Sequence, residues 1–146
     1  ALTEAKRRIE ERSSLRIKSP HELSEEECEL IGFWIGDGNK NKLHSGGIEY
    51  RMWQRLSYTA IVRRVDELLK SSGIDCVKRV VTTDKGTEVL QWSLPRGTGF
   101  GQQKRRGVFS IEQYLEKDGT NLFWGFDTRQ FHALLRGLWM ADGTSH

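Results

Sequence analysis

Two aspartates stand at matching places in the chain, each ending an apolar run directly before a glycine. "ELIGFWIGDGNK" (29–40) reaches Asp37 and Gly38 with no polar residue after Glu29, and "ALLRGLWMADGTSH" (133–146) reaches Asp142 and Gly143. Gly32 and Gly36 are four residues apart in the first run, as are Gly137 and Ala141 in the second. On helices, that spacing lays each small pair along one face. Small faces let two backbones cross at short distance, so if the stripes meet, the helix ends lie together and Asp37 approaches Asp142. Such a meeting is electrostatically unfavourable. Each carboxylate faces the negative end of a helix dipole, at a cost of about 0.3–1 kcal/mol, and the two repel each other. A hard divalent cation, Mg²⁺ above all, would relieve both penalties, and water kept on such an ion can attack a phosphate. Taken from the residues alone, the doubled ending also describes two plain helix C-caps, and both readings stay open at this point.

The elements that must position these acids are legible around them. Ser24 with Glu27 three residues later forms a capping box, so a helix is expected to run from there to Gly38, with acids crowding its first turn where the dipole favours them. A loop rich in Gly, Asn, Lys and Ser follows. In "GIEYRMWQRLS" the residues Ile48, Tyr50, Met52 and Leu56 alternate with Glu49, Arg51, Trp53 and Arg55, the pattern of a strand with one buried and one charged face. "TAIVRRVDELLKSSG" places Ile61, Val62, Val65, Leu68 and Leu69 at helical spacing and closes on Gly73. "DCVKRVVTT" and "TEVLQWSLP" read as two strands joined by an Asp84-Lys85-Gly86 turn. "RGTGFGQQKRRG" is a loop, "SIEQYLEKDG" a short helix, and "FDTRQFHALLRGLWMADG" a longer helix with Asp127 as N-cap. The aromatics Phe123, Trp124 and Phe126 are expected to pack under that helix. The first eighteen residues, six of them Lys or Arg and three acidic, suit a peripheral arm or a linker before the Ser19-Pro20 break.

With 146 residues, 36% of them hydrophobic, the chain can build one domain with a core of its own. A net charge of +3 only hints at a polyanionic partner. Its distribution says more: residues 51–64 and 96–106 each hold four Lys or Arg and no acid, which suits a phosphate backbone or a solvated surface. The two cysteines, Cys28 and Cys76, and the four histidines have no metal-ligand spacing. Neither a signal peptide nor an apolar run of membrane length is present, so an intracellular location and no membrane partner are expected.

The segments "LIGFWIGDG" (30–38) and "LRGLWMADG" (135–143) resemble the two copies of the nine-residue signature of the LAGLIDADG homing endonucleases. Gly32 and Gly137 take the first glycine column, Asp37 and Asp142 the final acid, and Gly38 and Gly143 the closing glycine. The resemblance covers residues 24–146 and includes the roughly hundred-residue gap between copies. It implies an α+β fold: an αββαββα half with an antiparallel DNA-binding saddle, plus the second central motif helix. Residues 1–18 would be an arm, 19–126 the first endonuclease subdomain, and 127–146 the second motif helix. The chain stops shortly after that motif, so the remaining strands are expected in a longer chain or replaced by self-association. The second helix is expected to expose an apolar flank at Leu134, Leu138 and Trp139.

Carried over by residue, the resemblance makes Asp37 and Asp142 the ligands of Mg²⁺ or another divalent cation, with Gly36 and Ala141 beside them in the metal site. Gly32, Gly36, Gly137 and Ala141 become the helix interface. The saddle would meet double-stranded DNA through Glu49, Arg51, Trp53 and Arg55, joined by Lys40, Lys42, Lys78 and Arg79. Some family members carry a Lys-x-Ile/Val-Pro segment whose lysine serves the active site; "KRRGVF" (104–109) is similar, with Phe109 for the proline and Lys104 or Arg106 in the basic role. Another departure is Ile35 and Met140 in the column of the signature's earlier acid. The activity implied is metal-dependent hydrolysis of DNA at a long specific site, an intein being one setting for such a domain. The alternative is a non-cleaving module such as an RNA-splicing maturase or a DNA-binding regulator.

Overall fold

The computed structural model describes residues 16–96, 105–117 and 122–142. Most of the expected N-terminal arm, Lys104 and Gly143 lie outside the described residues. Helix α1 (Glu25–Asp37) begins as its capping box requires: Ser24 Oγ accepts from the Glu27 N–H at 3.0 Å, and the Glu27 carboxylate accepts from the Ser24 N–H at 2.9 Å. Leu30, Ile31, Phe33 and Trp34 are all buried, because this helix is covered on more than one side.

One of those sides is a four-stranded antiparallel sheet made of β1 (Gly38–Lys42), β2 (Ile48–Arg55), β3 (Val77–Thr82) and β4 (Glu88–Pro95), in the order β1-β2-β4-β3. Tyr50, Met52, Leu90, Trp92 and Leu94 form its inner face. Phe33 meets Trp92 edge-on with ring centroids 6.0 Å apart, and Trp34 meets Tyr50 at 5.2 Å. Helix α2 (Thr59–Ser71) buries Val65, Leu68 and Leu69, as its periodicity predicts. The turn joining β3 and β4 depends on Gly86, whose φ of 82° few side chains tolerate.

Strand β1 corrects the expectation of a loop after Gly38. "GNKNK" has no apolar alternation because this is an edge strand, held by backbone pairing with β2 and mostly open to solvent. The short helix expected at 110–119 is a 3-10 turn over Phe109–Tyr114. Phe126 packs on Tyr114 and Phe123, but Trp124 is 83% exposed. On the 3-10 turn Leu122–Gly125, neighbouring side chains point in different directions and cannot all reach the core.

Helix α3 (Thr128–Asp142) starts at Asp127, whose Oδ1 accepts the Gln130 N–H at 2.8 Å while Gln130 Oε1 accepts the Asp127 N–H at 2.9 Å. It packs against α1 through the expected small residues. A Cβ on Gly32 would overlap the Leu134 carbonyl oxygen, one on Gly137 would overlap that of Glu29, and one on Gly36 would overlap the Ala141 side chain. The two backbones are therefore as close as their atoms allow. Buried Glu29 reinforces the crossing: it accepts from Arg64 of α2 at 2.8 and 3.1 Å and from Arg136 of α3 at 3.3 Å. The apolar flank of α3 differs from the one expected. Leu134 is buried against α1, and the exposed stripe is Phe131, Leu135 and Trp139, spaced four apart.

Candidate functional site

Because the small stripes cross along their length, the C-terminal ends of α1 and α3 finish side by side. Asp37 and Asp142 line one open cleft of about 350 Å³, together with Ala141, Trp53, Gln54, Arg55 and Tyr58. The end of β2 completes it, since Gly38 pairs with Met52 and brings the following residues alongside the helix ends.

Burial pushes the Asp37 carboxyl up to about 6; nearby Lys117 opposes the rise and Asp142 adds to it. Lys117 stands with its Nζ 5.8 Å from the Trp34 ring centroid, while the Trp34 indole N–H donates to the Leu115 carbonyl at 2.7 Å. Gln54, 6% exposed, accepts the Arg55 N–H at 2.8 Å and donates to the Met140 carbonyl at 3.4 Å, tying the strand end to the last turn of α3. The Arg55 guanidinium lies 5.8 Å from the Tyr58 ring centroid. Two carboxylates thus line the cleft with the Arg55 guanidinium, and Lys117 lies close enough to Asp37 to act on its charge.

The donor set fits a hard divalent cation. Two carboxylates supply the hard oxygen donors that such an ion takes alongside water; among the described residues no three His, Cys, Asp or Glu gather. Gly36 and Ala141 lie in the last turns of α1 and α3, whose carbonyls lack intrahelical donors.

The raised carboxyl of Asp37 has a measurable consequence. Its folded form holds a proton more tightly than the unfolded one, whose ordinary value is 3.8, so stability falls as pH rises from about 4 to about 6. Asp37→Asn removes that penalty. Without divalent metal, the variant is expected to exceed wild type by roughly 1–3 kcal/mol above pH 6, after allowing for solvent screening, and to lose the advantage below about pH 4. Urea unfolding at pH 4 and pH 7 measures it; the same difference at both would contradict the burial of this carboxyl.

The sheet register sorts the other expected residues by face. Glu49, Arg51, Trp53 and Arg55 share the outer face, and β3 adds Arg79 there through its pairing with Gln91, itself opposite Trp53. Lys40, Lys42 and Lys78 do not belong to it. Their partners are Tyr50, Ile48 and Trp92, all inner-face residues, and paired positions point the same way. Accordingly Lys40 reaches Glu116 and the Tyr50 ring, and Lys78 bonds Asp66 of α2 at 3.3 Å. Adjacent basic residues in a strand always alternate faces, and counting charges hid that.

Arg106 is also misplaced as an active-site group. Its backbone exchanges hydrogen bonds with Asp75, and Val108 bonds Pro95, at the end of β4 away from Val89 and the cleft, about 20 Å along the strand. Lys117 is the described lysine near Asp37, and nothing in "LEKDG" marked it. Gln54 was detectable as the polar member of an otherwise apolar strand face. Asn39 and Asn41, opposite Arg51 and Glu49, join the outer face because β1 is a strand.

No family model matches the chain, and no curated protein matches it. Among solved structures it is similar to I-DmoI in complex with DNA and Ca, at 21% identity and a TM-score of 0.48, over 83% of this chain and 59% of that one. It is similar to I-DmoI in complex with DNA and Mn at 21% identity and a TM-score of 0.45, over 80% of this chain and 61% of that one. Mesophilic variants of the homing endonuclease I-DmoI match at 20% identity and a TM-score of 0.45, over 80% of this chain and 60% of that one. The chain thus spans about three fifths of each of these structures.

Proposed function

We propose that this chain is part of a divalent-metal-dependent endonuclease of the LAGLIDADG type that hydrolyses phosphodiesters at a long, specific double-stranded DNA site. The observation that carries this reading is the convergence of two motif-ending carboxylates, 105 positions apart in sequence (37 and 142), at one cleft beside a basic strand face. Asp37 and Asp142 would hold Mg²⁺ or a similar ion. When bound, that ion supplies charge stabilisation at the phosphate and a more acidic water. Arg55 in the cleft and Lys117 near Asp37 would add positive charge where negative charge develops on the phosphate in the transition state. Gln54 holds the strand end against α3 and so keeps Asp142 in register with Asp37. The direct test is divalent-dependent cutting of duplex DNA by the full-length protein, abolished by chelation.

A non-cleaving nucleic-acid module is the second reading. The retained acid pair favours the enzyme, because two carboxylates beside a phosphate weaken simple binding.

The exposed stripe of α3 supports a further layer. Leu135 and Trp139 occupy the motif columns of Leu30 and Trp34, which lie buried in the first subdomain's core. The same columns on α3 would cover a second sheet, from a longer chain or from another copy. The 146-residue chain alone is therefore expected to self-associate or to fail at double-strand cleavage. Sedimentation showing a stable monomer that cuts both strands would contradict this.

A further inference from the structure

We propose that Arg51 reads a guanine and that Glu49 is its positioning residue, an inference that rests on the duplex-DNA reading above. Arg51 sits on a central strand of the sheet, between Asn39 of β1 and Ser93 of β4 in the pairing register. Glu49, two residues earlier, is on the same face, and its Oε1 accepts the Arg51 Nε–H at 2.8 Å. Both side chains are largely covered, at 30% and 24% exposure. Arg51 is thus fixed with Nε occupied, and its two terminal nitrogens form an end-on fork.

That geometry suits a base edge better than a phosphate. A carboxylate beside the guanidinium offsets its charge and repels phosphate oxygens, so the pair is a poor backbone anchor. The O6 and N7 atoms of guanine are neutral acceptors spaced for a two-pronged arginine in the major groove. Holding the fork in place lowers the ordering cost of that contact. Arg55 and Arg79 lie on the same face, exposed and outside any described carboxylate pair, and are better suited to backbone phosphates.

The test is selection of bound sequences from a randomised duplex DNA library by the full chain and by Arg51→Ala, Arg51→Lys and Glu49→Gln, with thermal unfolding confirming that each variant is folded. Wild type should select one guanine whose replacement weakens binding by about 5- to 150-fold. Arg51→Ala should lose the preference at that position alone. Arg51→Lys should weaken it without abolishing it, because lysine donates to O6 and N7 from a single nitrogen that Glu49 does not hold in a fork. Glu49→Gln should still bind duplex but with the guanine preference reduced. An unchanged guanine preference in Arg51→Ala overturns the assignment of Arg51. Tighter binding with undiminished preference in Glu49→Gln overturns the role of Glu49, leaving it as a masking charge. Failure of wild type to retain any duplex overturns the DNA reading itself, and this inference with it.

Discussion

Asp37→Asn and Asp142→Asn are each expected to abolish double-strand cleavage by the full-length protein while DNA affinity holds or rises. Asparagine keeps the shape of aspartate and removes the charge that would hold a hard cation in the function proposed. Losing one of two carboxylates takes away several kcal/mol of metal-derived transition-state stabilisation, a fall of at least about 100-fold in rate. Affinity moves the other way, because a carboxylate next to a phosphate repels it. For Asp37 the relief is enhanced by its buried position and by Asp142 beside it, which together keep its carboxyl near 6. Both readouts are needed: nicking and linearisation of a plasmid bearing the target in Mg²⁺, and a binding isotherm in Ca²⁺. Near wild-type cleavage of both strands by either variant would reduce that aspartate to a helix end. Loss of cleavage together with loss of binding would point to a folding defect, which the unfolding curves described above detect.

Gly137→Ala and Gly32→Leu should be strongly destabilising, by about 3 kcal/mol each, the upper end of what overpacking costs, and Gly137→Leu should not fold cooperatively. An ordinary glycine in a helix is improved by alanine, by about 1 kcal/mol. Here the sign reverses. The first carbon added at Gly137 would meet the Glu29 carbonyl oxygen and lie 2.6 Å from the Phe33 nitrogen; both are backbone atoms of α1 and cannot swing aside as a side chain end would. The helices would have to separate, and the separation would pull Asp142 away from Asp37. Gly47 is the control: a Cβ there lies 3.7 Å from the Leu43 side chain, ordinary contact, so Gly47→Ala should be nearly neutral. Thermal unfolding of Gly32→Leu, Gly47→Ala and Gly137→Ala decides the matter. A stabilised Gly137→Ala would mean that the helices do not cross at this distance in solution.

How much was legible depended on whether the relevant force is local. The Ser24–Glu27 capping box, the alternation in β2 and the apolar spacing of α2 act over a few residues, and the chain carries their full signal. Gly32, Gly36, Gly137 and Ala141 announced a close crossing because small size on one helical face has few other uses. Strand β1 carried no such signal, since an edge strand needs only a partner's backbone. The exposed flank of α3 keeps the expected Trp139 but carries Leu135 in place of Leu134, because the two leucines are equally apolar and only the position of α1 decides which is covered.

The sequence by itself determined α1, α2, α3 and strands β2 to β4, and the small faces and closing acids of α1 and α3: these follow from residue types at fixed spacing along one element. Tertiary structure decided which cations join Asp37 and Asp142. Arg106 and Lys117 are equally basic in the sequence, but a sheet about 20 Å long separates its two ends, and Lys117 is the one placed near Asp37. It also decided that Lys40, Lys42 and Lys78 turn inward while Arg51 and Arg79 face out. Register against a neighbouring strand assigns a face to each side chain, and register is a property of the pair, absent from either strand's own residues.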